Sequence, residues 1–227
     1  MWMDNWILNQ KFEHWPIVNG ATSPSHRYLF RFFEAAHPLV VLSSSNQESR
    51  EVISQNRLEL DVPIVKRRGG GGTVTLSRGC LIFTLAFKAK EIFNNKEYFY
   101  LINQLWIDAL EQMGVKELNQ KGISDITLGN RKVAGTSLFR SKHLLVYQGS
   151  LLVDANLDLL DLTLQHPSKE PDYRQGRSHR EFLTTLKESG YPFLCLQLQE
   201  HCSQFVETHF WDRFAPHLFD PESLKHQ

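Results

Sequence analysis

The sequence predicts an α+β fold, with a central mixed, mostly antiparallel β-sheet flanked by helices. Three observations carry this. Short turn signals, Arg78-Gly79 and Gly129-Asn130, separate apolar or alternating runs, the pattern of hairpins. One long segment, 94–113, has helical periodicity. After Asp154 the pattern becomes helical. Strands in hairpins, with helices between and after them, fit a sheet covered by helices.

The elements follow in chain order. Residues 1–12 read as a short helix. PLVVLSS (38–44) is a β-branched apolar run ending in serines, a buried strand entering a loop. QESREVISQNRL (47–58) is helical. VPIVKR (62–67) is a strand feeding a glycine run, and TVTLS (73–77) and LIFTLAF (81–87) are strands. In 94–113 apolar side chains recur at Tyr98, Leu101, Ile102, Leu105, Ala109 and Leu110, with Asn94 or Asn95 to cap the helix and Gly114 to stop it. ISDITL (123–128) and RKVAGTSLF (131–139) flank the second turn. HLLVYQGSLLVD (143–154) is a long strand interrupted at Gly149. Helices are expected at 156–163, 179–188 and 194–210. The polar stretch QHPSKEPDYRQGRS (165–178) is a loop too long for a simple connector, which marks it as a candidate for function.

Of 227 residues, 41% are hydrophobic and 22% charged, the balance of an ordinary globule large enough for one large domain or two small ones. A formal net charge of +0 argues against a general nucleic-acid binder. Cys80, Cys195 and Cys202 form neither a CxxC pair nor a zinc pattern, which points to a reducing compartment. Asp4 and Glu13 argue against a secretory leader, and no window approaches the ~18 apolar residues of a membrane helix. A cytoplasmic location without membrane contact is expected.

Two stretches carry candidate chemistry. KRRGGGGTVTL (66–76) sets Lys66, Arg67 and Arg68 against four glycines. It is neither a P-loop nor a dinucleotide fingerprint, since Thr73 and Val74 stand where Gly-Lys is needed and no helix follows. Strand, glycines and strand can lay bare N–H groups against a ligand, because glycine permits close approach and positive φ. The alternative is a flexible hairpin with solvated arginines. In ISDITLGNRKVAGTS (123–137), Asp125 and Lys132 lie on neighbouring strands across a tight turn, so pairing can bring acid and base together. That pair suits phosphate chemistry: a carboxylate for Mg2+, and a lysine as a point charge on a phosphate or carbonyl oxygen. The alternative is a surface ion pair worth ~0–1 kcal/mol.

Together, in this order, the motifs resemble those of the biotin/lipoate protein ligase superfamily, and more closely lipoate–protein ligase A with its octanoyl- and lipoyl-transferase relatives. KRRGGGGTV fits the pattern R-R-x-[ST]-G-G-[GR]-[AT]-V, with Gly69 at the usual Ser/Thr place. GISDI (122–126) and NRKVAG (130–135) match the next two motifs, with Ser124 at an Asn place. YQGSLL (147–152) fits a later strand, with Tyr147 at a His place, and GRSHREFLTTL (176–186) is similar to a family helix start. The resemblance spans roughly residues 38 to 186. The family's His after the glycine strand is replaced by Leu76 or Ser77.

The resemblance implies a single ligase-like catalytic domain over 1–227, without a C-terminal accessory domain. It implies an acyl chain of lipoate or octanoate beside the glycine loop, lined by Arg67, Gly70, Gly71, Gly72, Thr73, Gly135, Thr136, Gly149 and Ser150. Lys132 would be catalytic and Asp125 would stand near phosphate or Mg2+. The activity implied is ATP-dependent formation of lipoyl-AMP, followed by transfer to a lysine of a lipoyl acceptor domain. Acceptors would be 2-oxoacid dehydrogenase acyltransferase subunits or proteins of the glycine cleavage H type, with a separate accessory subunit as a further partner. Transferases of this superfamily use a cysteine on the segment before the lysine motif or a few dozen residues after it. Neither region contains one here, which favours adenylate chemistry. A transferase using an acyl-protein thioester or preformed lipoyl-AMP, and a non-catalytic acyl- or adenylate-binding protein, are the alternatives. Arg174, Arg177 and Arg180 in the late loop would bind phosphate or an acidic acceptor face, or else form a solvated basic loop.

Overall fold

The computed structural model describes residues 28–90 and 94–217. The helix expected at 1–12 lies outside them. The architecture is α+β, as the sequence predicts, but the strands divide into two sheets. The larger has six strands in the order β1-β5-β9-β8-β7-β6: β1 (Tyr28–Glu34), β5 (Cys80–Lys88), β9 (Leu144–Leu152), β8 (Arg131–Ser141), β7 (Asp125–Leu128) and β6 (Leu118–Lys121). All its strand pairs are antiparallel. The smaller sheet has the order β3-β2-β4, from β3 (Ile64–Lys66), β2 (Leu39–Leu42) and β4 (Val74–Leu76). Its β2–β3 pair is parallel, so the mixed character lies there.

The large sheet buries both faces. On one, Phe30, Phe32, Leu81, Phe83, Leu85, Tyr147 and Leu151 pack with two long helices in the main core. These helices are α3 (Asn95–Gln112) and α6 (Cys195–Phe214). The apolar face of α3 is buried at Tyr98, Ile102, Leu105, Trp106, Ala109 and Leu110, close to the predicted stripe. Burial of each leucine or isoleucine in this stripe contributes about 1.5–3 kcal/mol. The opposite face meets a second cluster, in which Cys80, Ile82 and Leu152 pack with Leu157, Leu160, Phe182 and Leu183.

Several elements differ from expectation, each for a tertiary reason. β1 has no counterpart among the expected elements: YLFRFFE carries large side chains on both faces, so neither period stands out. β6, with the polar sequence LNQK, has no strand signal of its own and exists because it pairs with β7. The helix expected at 47–58 breaks into α1 (Glu48–Glu51) and α2 (Ser54–Glu59). Buried Val52 between them bridges to Leu164, and the Ile53 N–H donates to the Thr163 carbonyl at 2.9 Å. The helix expected at 156–163 is α4 (Asp158–Thr163), whereas that expected at 179–188 stops after one turn, α5 (His179–Phe182). Leu183 is extended, Thr184 and Leu186 donate to the carbonyls of Lys132 and Leu152 at 3.0 and 2.9 Å, and residues 186–190 form turns. Finally, β9 runs through Gly149 without interruption.

Candidate functional site

The hairpin β7–β8 has a register shift that determines the site. Thr127 faces Lys132 and Ile126 faces Ala134, which leaves Val133 as the extra residue of a β-bulge. Opposite residues of an antiparallel pair share a face. The bulge therefore sends Val133 and Ala134 into the main core and puts Lys132 on the same face as Gly135 and Asp125. Without the extra residue, the three-residue spacing from 132 to 135 would place them on opposite faces.

On that face Lys132 lies across the Cα of Gly135, and a Cβ added there would stand 2.8 Å from both Cε and Nζ of the lysine. The ammonium reaches the Asp125 Oδ1 at 2.7 Å. The other carboxylate oxygen, Oδ2, accepts from the hydroxyl of Tyr173 at 2.8 Å. The same cross-strand row continues from Gly135 to Ser150 and Ile82, which puts Ser150 beside the lysine arm. Asp125 is buried, and the lysine side chain retains 22% of its exposure. The ammonium is thus held firmly while still reaching the surface of the site.

The glycine loop sits alongside. A Cβ on Gly69 would stand 3.0 Å from the Ser137 hydroxyl, two residues beyond Gly135 on β8. Gly71 has φ +96°, a left-handed conformation that only glycine adopts without strain. Arg67 closes the loop: its guanidinium donates to the carbonyls of Gly70 at 2.8 Å and Gly72 at 2.7 Å. The Ser44 N–H donates to the Gly69 carbonyl, and Asn46 donates to the Thr73 hydroxyl at 2.9 Å. Among the described residues, no atom other than those of the chain neighbours lies within 4 Å of a Cβ built on Gly70 or Gly72, so these two face open space there.

Two expected lining residues lie elsewhere. Thr136 is on the helix face of the sheet, where its hydroxyl and N–H donate to the Ser124 carbonyl at 2.7 and 2.9 Å. Gly149 is on that face too: a Cβ there would stand 2.3 Å from the Phe83 ring, so the glycine makes room for the ring. Tyr147, at the family's His place, is fully buried and donates to Asn103 of α3.

Sequence reasoning missed Tyr173. Its signal was present only as the overlong 165–178 loop, which a short 3-10 turn, Asp172–Arg174, carries to Asp125. Arginines hold the loop down. Arg177 donates to the carbonyls of Asn130 and Tyr173 at 3.1 and 2.8 Å, and Arg174 lies over the Phe182 ring at 4.8 Å. Burial pushes the Arg174 pKa below its usual value. Arg180 pairs with Glu188 at 2.7 Å. All three make contacts within the chain.

The three cysteines are buried. Burial raises the thiol pKa of Cys80, and raises those of Cys195 and Cys202 to about 12. None is a ready thiolate nucleophile. Among the described residues no group of three His, Cys, Asp or Glu side chains could hold a metal ion. Both Asp125 oxygens already accept from Lys132 and Tyr173, so the carboxylate fits a lysine-orienting role better than a Mg2+ ligand. A groove of about 490 Å³ lies between α3 and β6, with Gly122 at its edge. Among the described residues no helix is long and apolar enough to cross a membrane.

Comparisons with known proteins bear on the family and the fold. Lipoate-protein ligase LplJ of Bacillus subtilis (strain 168) is 28% identical over 165 residues, covering 73% of this chain and 48% of the relative. The chain thus spans about half the length of that protein. In fold, it is similar to the bi-partite lipoate protein ligase from Thermoplasma acidophilum, described with its E2 lipoyl domain. The TM-score is 0.71 at 16% identity, covering 81% of this chain and 71% of the other. A lipoate-protein ligase A bound with ATP superposes with a TM-score of 0.69 at 18% identity, covering 81% and 72%. The family model for the lipoyl protein ligase A/B catalytic domain matches residues 4–207, and the chain belongs to that family.

Proposed function

We propose that this chain carries the catalytic chemistry of a lipoate–protein ligase. In the first step a carboxylate oxygen of lipoate, or octanoate, attacks the α-phosphorus of ATP, and pyrophosphate leaves. In the second, the ε-amine of an acceptor lysine attacks the acyl carbonyl, AMP leaves, and the amine gives up a proton. The observation that carries this reading is the Lys132 ammonium held at 2.7 Å from Asp125 across a bare glycine, next to an arginine-closed glycine loop.

A fixed ammonium in a partly desolvated site stabilises negative charge that develops on the phosphate and then on the acyl oxygen. Asp125 keeps that ammonium aimed. The space over Gly70 and Gly72 suits a thin acyl chain, with Ser150 beside its reactive end. Mg2+ would be held by the nucleotide phosphates and would neutralise charge there, since both Asp125 oxygens are engaged by Lys132 and Tyr173. The acceptor is a lipoyl domain of a 2-oxoacid dehydrogenase acyltransferase or of the glycine cleavage H type; the similar Thermoplasma protein is described with an E2 lipoyl domain, which supports the first.

The test is acceptor mass after incubation with ATP, Mg2+ and lipoate or octanoate, with a parallel reaction on an octanoyl-carrier thioester. An ATP-dependent acyl gain that disappears in Lys132→Ala supports the ligase. A gain from the thioester alone would replace it with the transferase, which the buried thiols disfavour. Ligand binding without any gain would leave a binding protein.

A further inference from the structure

We propose that Tyr173 is a positioning residue of the lysine centre: its hydroxyl fixes the Asp125 carboxylate and thereby the direction in which the Lys132 ammonium points. This rests on the ligase reading and assigns a role to the 165–178 loop within it.

A carboxylate held on one oxygen can swing about its Cβ–Cγ bond. One held on both oxygens cannot. Asp125 is held on Oδ1 by Lys132 at 2.7 Å and on Oδ2 by Tyr173 at 2.8 Å. The tyrosine is itself fixed. Its ring packs against Phe182 at 5.2 Å between centroids, and Lys121 lies over it at 5.8 Å. Its backbone carbonyl accepts from Arg177, which also grips the Asn130 carbonyl at the β7–β8 turn. The hydroxyl stays a donor, because burial and the neighbouring carboxylate push its pKa far above the usual value. A single hydrogen bond therefore connects a loop distant in sequence to the orientation of the catalytic lysine.

Tyr173→Phe removes that bond and keeps the ring. For acylation of the acceptor domain, kcat is expected to fall ~10-fold, the scale of one lost hydrogen bond to a charged group, with the KM for lipoate little changed. The melting temperature should stay within about 3 °C of wild type. A second readout needs no turnover. In brief labelling with acetic anhydride read by mass spectrometry, Lys132 should react ~3–10-fold faster in the variant, in proportion to the loosened ion pair. Lys187, paired with Asp154 on the surface, should be unchanged. In an Asp125→Asn background, Tyr173→Phe should add nothing to either readout. A raised KM and lower melting temperature, with kcat and Lys132 labelling unaltered, would show that Tyr173 merely holds the loop down and would overturn the proposal. If the wild-type chain acylates no acceptor, the ligase reading fails separately, while the labelling still decides whether Tyr173 positions Lys132.

Discussion

Gly135 and Lys132 share one small volume. The lysine arm crosses the glycine Cα so closely that an added Cβ would stand 2.8 Å from Cε and Nζ. The glycine is thus required for its neighbour rather than for a turn, since its backbone lies in a regular part of β8 opposite Asp125. Gly135→Ala leaves the strand intact and pushes the ammonium off Asp125. We expect acceptor acylation to drop ~10–100-fold in kcat, the scale for losing an aligned charge–charge hydrogen bond. Thermal stability should fall by less than about 2 kcal/mol, because the displaced side chain is long and partly exposed. Steady-state kinetics beside a melting curve checks both. A fully active Ala variant would mean that Lys132 does its chemistry from another position.

Arg67 makes a different kind of contact. Its guanidinium donates to two loop carbonyls, Gly70 and Gly72. Lysine keeps the charge but lacks the planar fork. Arg67→Lys should loosen the loop, raise the KM for lipoate ~5–20-fold and leave kcat nearly unaltered, since about 1–2 kcal/mol of loop order is lost before binding. Amide hydrogen exchange over residues 69–73 should speed up in the variant. Unchanged exchange would assign the loop's order to the contacts of Gly69 and Thr73 instead.

The hairpin, the glycine loop and α3 were legible because each rests on a local signal: Gly-Asn between alternating runs, four glycines after cations, and an apolar stripe at helical spacing. That Asp125 and Lys132 can approach also followed from the turn. Their shared face did not, because it depends on Val133 being squeezed out as a bulge, and no composition marks that. Tyr173 was illegible for a related reason. Its partner lies 48 residues away in sequence, and only the folded loop brings the two together. Gly149 fell inside a matching motif and Thr136 directly after one, but strand alternation carries their side positions to the helix face. There one clamps the Ser124 carbonyl and the other accepts Phe83.

Gly149 gives a stability prediction with no catalytic content. A methyl there would enter the Phe83 ring at 2.3 Å. The ring is hemmed in by Trp106 at 4.9 Å and by Tyr147 at 6.0 Å between centroids, so it cannot step aside freely. Gly149→Ala should cost about 1–3 kcal/mol of overpacking. Phe83→Leu in the same chain should recover part of that loss. Activity per folded molecule should hold in the single variant; a selective loss of kcat without loss of stability would place Gly149 in the site after all.

The thiol of Cys202 supplies a pH dependence. It is buried among the side chains of the main core, and burial alone raises its pKa from 9.0 to about 12. The sign follows from linkage. In the unfolded chain the thiol ionises above its ordinary pKa, while in the folded chain it stays protonated. Its contribution is therefore fully present below pH 9 and is lost as pH rises towards 12. The slope is at most about 1.4 kcal/mol per pH unit for one thiol. Cys195, raised to about 12 as well, adds in the same direction. Chemical denaturation between pH 7 and 10.5 should show a plateau and then a decline. Cys202→Ala should lower the plateau through the cavity it leaves, and should flatten the decline. A decline of equal steepness in that variant would assign the alkaline loss to other groups, such as the Tyr28 hydroxyl, which burial also raises to about 12.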